Sequence, residues 1–174
     1  MNKKILAVLA VLLVSVCALC ACKGLTVLDK YEGVKDAKTV VQVIEVTNGG
    51  AEIAKETLTY NFASGKVTIE KKVLNDSSAS EAFTTTTETK DITRGEGIVN
   101  LKGLTMSGVV TTDDTFRGEV ANADLKTAFG VDGAKVKGGA TVELLADGDK
   151  VVKMTVSYVS SNDNNVVITS TFTY

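Results

Sequence analysis

From Thr39 to the end of the chain, apolar and polar residues alternate one for one in stretch after stretch, and no proline interrupts them. Leu58, Tyr60 and Phe62 alternate with Thr57, Thr59 and Asn61, and Val67, Ile69 and Val73 alternate with Thr68, Glu70 and Lys72. Val152, Met154, Val156 and Tyr158 alternate with Lys153, Thr155 and Ser157, and Ile168, Phe172 and Tyr174 carry one face to the terminus. Successive side chains of a strand point to opposite faces, so this period of two predicts half-buried antiparallel strands rich in Val, Thr, Ile and Tyr. Turn signals punctuate the runs at Asn48-Gly49-Gly50, Ser64-Gly65 and Asp147-Gly148, the residue types that tight hairpins need. A strand is expected over 40–46 ahead of the first turn, and a Thr-rich strand over 83–92 is weak enough in apolar residues to sit at an edge or to face solvent on both sides. Shorter strands are expected over 98–110 and 115–120.

Helical spacing occurs twice. Val27, Leu28, Tyr31 and Val34 share one face from about Thr26, although Gly33 weakens the pattern. Leu125, Ala128 and Phe129 form a stripe within 121–129, ended by Gly130. The fold class is therefore mainly β (α+β): a single curved antiparallel sheet, half-barrel or barrel-like, with two short helices. A sheet of about nine strands tends to curl, and two short helices are little cover for its apolar face. Its interior is expected to stay partly unfilled, and a partly filled apolar concavity is a ligand site. Side chains that simply pack against one another are the alternative.

The start of the chain is of a different kind. Met1-Asn2-Lys3-Lys4 is a short positive segment and residues 5–16 are an uncharged run, apolar but for Ser15, the layout of an export signal. Cys17-Ala18-Leu19-Cys20-Ala21-Cys22 follows and holds all three cysteines. Cys22 has Leu19 three residues before it and Ala21 directly before it, which resembles the lipobox of bacterial lipoproteins. Cys17 and Cys20 follow the bulky Val16 and Leu19. The expected organisation is a signal peptide over 1–21, a short lipidated tether over 22–25 attached through Cys22, and an antiparallel β half-barrel domain over 26–174. Acyl chains contribute about 0.8 kcal/mol per buried methylene, so a multiply acylated cysteine (palmitate and its like) is a stable anchor. An uncleaved signal anchor is the alternative, since 5–22 carries no charge. The expected location is extracytoplasmic, lipid-anchored in a bacterial cell envelope, and a tether this short holds the domain close to the bilayer.

Composition removes several functions. Lys and Arg number 19 against 21 Asp and Glu, scattered and without a basic stripe, which argues against nucleic-acid binding. There is no His, and the chain beyond Cys22 has no thiol, so the commonest general base, transition-metal ligand and strong nucleophile are missing. No G-x-S-x-G occurs. Lysines could act as bases only if desolvated, and here they alternate onto polar faces. Asp113-Asp114 and Asp147-Gly148-Asp149 could offer oxygens to a hard cation, but neither has the spacing of a calcium loop, and turn chemistry explains both. No enzyme activity, cofactor or metal is expected.

The layout, with Tyr31-Glu32-Gly33-Val34-Lys35-Asp36-Ala37-Lys38 leading into the first strand and Lys150-Val151-Val152-Lys153-Met154-Thr155-Val156-Ser157-Tyr158 near the end, resembles small bacterial lipoproteins of the LolA/LppX-like half-barrel group. The resemblance implies a curved sheet around an apolar cavity capped by helices, and binding of lipid acyl chains. It matches no functional residue of the group to a position here. The alternation nominates Leu58, Tyr60, Phe62, Val67, Ile69, Met154, Val156, Tyr158, Ile168 and Phe172 as cavity-facing ligand contacts. Two functions follow: a membrane-anchored binder of an acyl chain or other hydrophobic ligand, or a structural or interaction lipoprotein of the cell envelope with a filled core and no ligand.

Overall fold

The computed structural model describes residues 26–75, 81–101 and 104–174. The expected signal peptide, Cys22 and the tether lie outside the described residues. Helix α1 spans Val27–Tyr31 and runs into a 3-10 turn over Glu32–Asp36. Its first turn is closed by a capping box: the Thr26 hydroxyl accepts from the Asp29 amide, and the Asp29 carboxylate accepts from the Thr26 amide and hydroxyl at 3.0 and 2.7 Å. These bonds hold the exposed Asp29 carboxyl below the usual carboxylate range. Helix α2 covers Asn122–Phe129 and stops at Gly130, whose left-handed φ of 69° only glycine adopts readily.

Among the described residues nine strands follow one another in the order expected: β1 Thr39–Asn48, β2 Ala51–Asn61, β3 Lys66–Leu74, β4 Phe83–Asp91, β5 Met106–Thr111, β6 Thr115–Val120, β7 Val136–Asp147, β8 Lys150–Ser160 and β9 Asn165–Thr173. All pair antiparallel in a single sheet ordered β4-β3-β2-β1-β9-β8-β7-β6-β5. The last strand docks beside the first, so neighbours in sequence are neighbours in the sheet on both sides of that seam. The sheet is not closed. β4, the Thr-rich strand, forms one edge and β5 the other.

Register sorts the side chains by face. Val40 lies opposite both Tyr60 and Phe172, Tyr60 opposite Val67, and Val156 opposite both Ile168 and Val142. These residues line the inner face and join Leu144, Met154 and Val166 in one buried cluster. Thr57, Thr59, Thr68, Thr155, Thr169 and Thr171 take the alternate positions on the outer face, with ion pairs such as Lys55–Glu45 and Lys72–Glu52 among them. On the inner face the buried Ser170 hydroxyl accepts from the partly buried Gln42 amide at 3.3 Å. Helix α1 lies across β6, β7 and β8, and Val27 of the helix, Val34 of the 3-10 turn and Ala37 just after it are fully buried.

The strand expected over 98–110 is the one element the structure changes. Only Met106–Thr111 is strand. Residues 93–101 form an irregular strap over the inner face. Gly95 and Gly97 have φ of 87° and 78°, outside the strand region. Beyond them Ile98, Val99, Leu101 and Leu104 fall on both parities, so no strand could place them all on one side. Leaving the ladder lets them all reach the core, and Leu101 is only 3% exposed.

Candidate ligand cavity

Residues Leu28, Tyr31, Glu32 and Lys35 recur three or four apart, which gives α1 and the 3-10 turn a common face toward the strap. Between that face and the strap lies an open cavity of about 750 Å³. Leu28 and Tyr31 form the helical wall. Ile98, Val99, Leu101 and Leu104 form the opposite wall, and Met106, Val109 and Phe116 from β5 and β6 form the floor. The lining is mostly apolar, and Asp29, Glu32, Lys35 and Asn100 stand around it as polar groups. Val109 is half exposed, so the floor opens to solvent at the β5 edge.

Contacts of Tyr31, Lys30 and Gly97 fix the walls. The buried Tyr31 hydroxyl donates to the Val99 carbonyl at 3.0 Å and reaches the Met154 sulfur at 3.5 Å. Its ring meets Phe172 edge-on, 6.2 Å between centroids, a favoured aromatic geometry. Burial, with the nearby Tyr174 adding to it, pushes the Tyr31 phenol well above its ordinary range, so it stays a protonated donor. On the other side, the Lys30 ammonium donates to the Asp113 carbonyl at 2.9 Å and ties α1 to the β5–β6 turn. Gly97 lies against the Tyr60 ring, where a Cβ would stand 2.3 Å from the nearest ring carbon.

The ten residues nominated from sequence occupy the inner face, but not this cavity. Tyr60, Phe62, Val67, Ile69, Met154, Val156, Ile168 and Phe172 are buried in the central cluster, and Leu58 and Tyr158 pack at its margin. Tyr158 also borders a smaller, more polar hollow of about 480 Å³ beside Gly138 and Gly139. A third hollow, of about 540 Å³, opens beside Val110, Arg117 and Leu145. The cavity walls escaped the sequence reading because they come from a helix and a strap, whereas alternation marks strand residues only. The usable signal was the run Ile98, Val99, Leu101 and Leu104, apolar without alternation and placed after two glycines.

Among the described residues no group of three or more His, Cys, Asp or Glu is placed to hold a metal ion, and no helix is long and apolar enough to cross a membrane. Asp113 and Asp114 sit in the β5–β6 turn, where the Asp114 carbonyl accepts from the Ala146 amide at 2.8 Å. No protein-family model matches this sequence, and no curated protein matches it.

Proposed function

We propose that this chain is an extracytoplasmic lipoprotein, anchored to a bacterial membrane through lipidated Cys22, that binds an acyl chain or similar hydrophobic ligand in the cavity between α1 and the strap. One observation carries the reading: a mostly apolar hollow of about 750 Å³ with charged residues around it. Small-molecule pockets run from about 300 to 1,000 Å³ and bury apolar ligand surface between a few polar groups. An amphiphile matches this division, its tail against Leu28, Ile98, Leu104 and Phe116 and its polar end toward Glu32 and Lys35.

The placement of the cavity in the chain supports the same reading. Its helical wall begins at Leu28, six positions beyond Cys22. The three or four residues between a lipidated Cys22 and the Thr26 cap reach about 10–14 Å when extended. The hollow then stands close to the bilayer that would supply its ligand. The resemblance to the LolA/LppX-like group implies an acyl ligand as well.

The test is organic extraction and mass spectrometry of residues 23–174, exported behind a signal that leads to no lipidation. Wild type should carry a hydrophobic compound. Leu28→Arg, a charge on the cavity wall at a half-buried site, should carry none. Val73→Arg, at an exposed apolar residue of β3 away from the cavity, should match wild type. An empty wild-type protein would instead favour the structural or interaction lipoprotein, for which the densely occupied core around Met154 and Phe172 speaks.

A further inference from the structure

The two edges of the sheet are built differently. β5 is short, and its pairing with β6 shifts between Ser107 and Val110, where Gly108 adopts a left-handed φ of 60°. Short length and a bulge are the usual means of blocking an edge from further pairing. β4 has neither. Its nine residues pair with β3 without a shift, it contains no glycine or proline, and it is exposed from Thr84 to Asp91.

The direction of its free backbone groups follows from the ladder. The Asn75 amide donates to the Ala82 carbonyl and the Ile92 amide to the Gly65 carbonyl, both at 2.9 Å. Hydrogen-bonded pairs recur every second residue in an antiparallel ladder. Residues 84, 86, 88 and 90 therefore turn their peptide groups to β3. Thr85, Thr87, Thr89 and Asp91 turn theirs outward, a row of donors and acceptors along the open edge.

We propose that β4 is a homodimer interface, at which β4 of a second copy of this chain adds antiparallel across a two-fold axis through Thr89. The charges select that register. Glu88 and Lys90 sit on one face of β4 and already pair with each other at 3.0 Å. An axis through Thr89 sets Glu88 of each copy directly opposite Lys90 of the other, in the closely spaced non-hydrogen-bonded pairs where opposite charges attract. An axis through Glu88 or Lys90 would oppose like charges, and one through Thr87 would set both charges against threonines. The same two residues, as charges on the edge, oppose a strand that lacks the complementary pattern. Such a contact is isologous and closes on itself, which limits the assembly to two.

Sedimentation of the full-length protein in density-matched detergent tests this. Wild type should show twice the protein mass of a monomer. Thr89→Pro removes an amide that points away from β3, a substitution edge strands tolerate, and should sediment as a monomer. Glu88→Lys and Lys90→Glu, both at exposed side chains, should each weaken dimerisation roughly tenfold or more, since two attractive pairs become repulsive. The double swap Glu88→Lys with Lys90→Glu should restore it. A monomeric or higher-order wild type, a Thr89→Pro dimer, or a double swap no tighter than the single variants would each overturn the proposal.

Discussion

Tyr31 joins three parts of the molecule through one side chain: its ring meets Phe172 of β9, its hydroxyl bonds to the strap at Val99, and it lines the cavity. Tyr31→Phe keeps the ring and deletes the hydrogen bond, which costs about 0.5–1.5 kcal/mol plus whatever the stranded Val99 carbonyl loses. Urea denaturation should read that difference. The pH dependence has a defined sign. Tyr31 is raised above the ordinary 10.0 by burial, and Tyr60, Tyr158 and Tyr174 are raised as well, burial being the first cause in each. A raised phenol means that the folded state holds its proton while the unfolded chain releases it near pH 10. The stability these groups contribute is thus complete below about pH 10 and is lost as pH rises beyond it. Denaturation curves should be insensitive to tyrosine titration up to about pH 9 and weaken above 10, less steeply in Tyr31→Phe. Gly97 is the other position where a single residue decides. Gly97→Ala adds a methyl against the buried Tyr60 ring at a φ of 78°, and overpacking and left-handed backbone together cost about 2–4 kcal/mol. Gly138→Ala has a similar φ of 74° with nothing within 4 Å, and should cost only about 1–2 kcal/mol. Thermal melting of the two variants separates the contributions.

At the level of elements, the strands were legible because alternation and turn glycines report on the same geometry. Val67, Ile69 and Val73 share a face in any antiparallel sheet, and Gly65 and Gly148 take the left-handed φ that tight turns require. The Thr-rich 83–91 stretch has almost no apolar residue to bury, and it does end the sheet as β4. The strap was not legible by the same rule. Ile98 to Leu104 contains enough apolar residues for a strand, but their mixed parity and the glycines at 95 and 97 commit them to cover instead. That difference moved the candidate site. With the strap over the inner face, Tyr60, Phe62 and Met154 become core, and the open volume shifts to the gap between strap and α1. The ten residues named from the alternation are thus the floor of the domain, and the cavity walls come from segments with no period of two. Sequence also suggested too little helical cover for the sheet. The two helices are indeed short, and the strap supplies part of what they lack.

For the whole molecule, the open sheet explains why a cavity can persist beside a filled core. Cover by α1 and the strap ends at β5, and the edge there is bulged and short. A ligand held in that gap, as proposed, would bind the folded state alone and so stabilise it by RT ln(1 + [L]/Kd), about 2.7 kcal/mol at a hundredfold excess over Kd. Delipidated residues 23–174 should melt lower than the protein as isolated and recover when a long-chain fatty acid is added. The anchor is a separate matter with its own check. Cys22→Ser in the full chain should block processing or release the protein from membranes, and unchanged mass with unchanged retention would contradict lipidation. The proposed ligand site and the proposed anchor are linked only by position in the sequence, Leu28 lying six residues beyond Cys22. The most direct measurement of the central claim is titration of a fluorescent fatty acid into delipidated residues 23–174. The cavity predicts saturable binding of one probe per chain, abolished by Leu28→Arg and kept by Val73→Arg. Signal that never saturates, or that both variants lose alike, would contradict it.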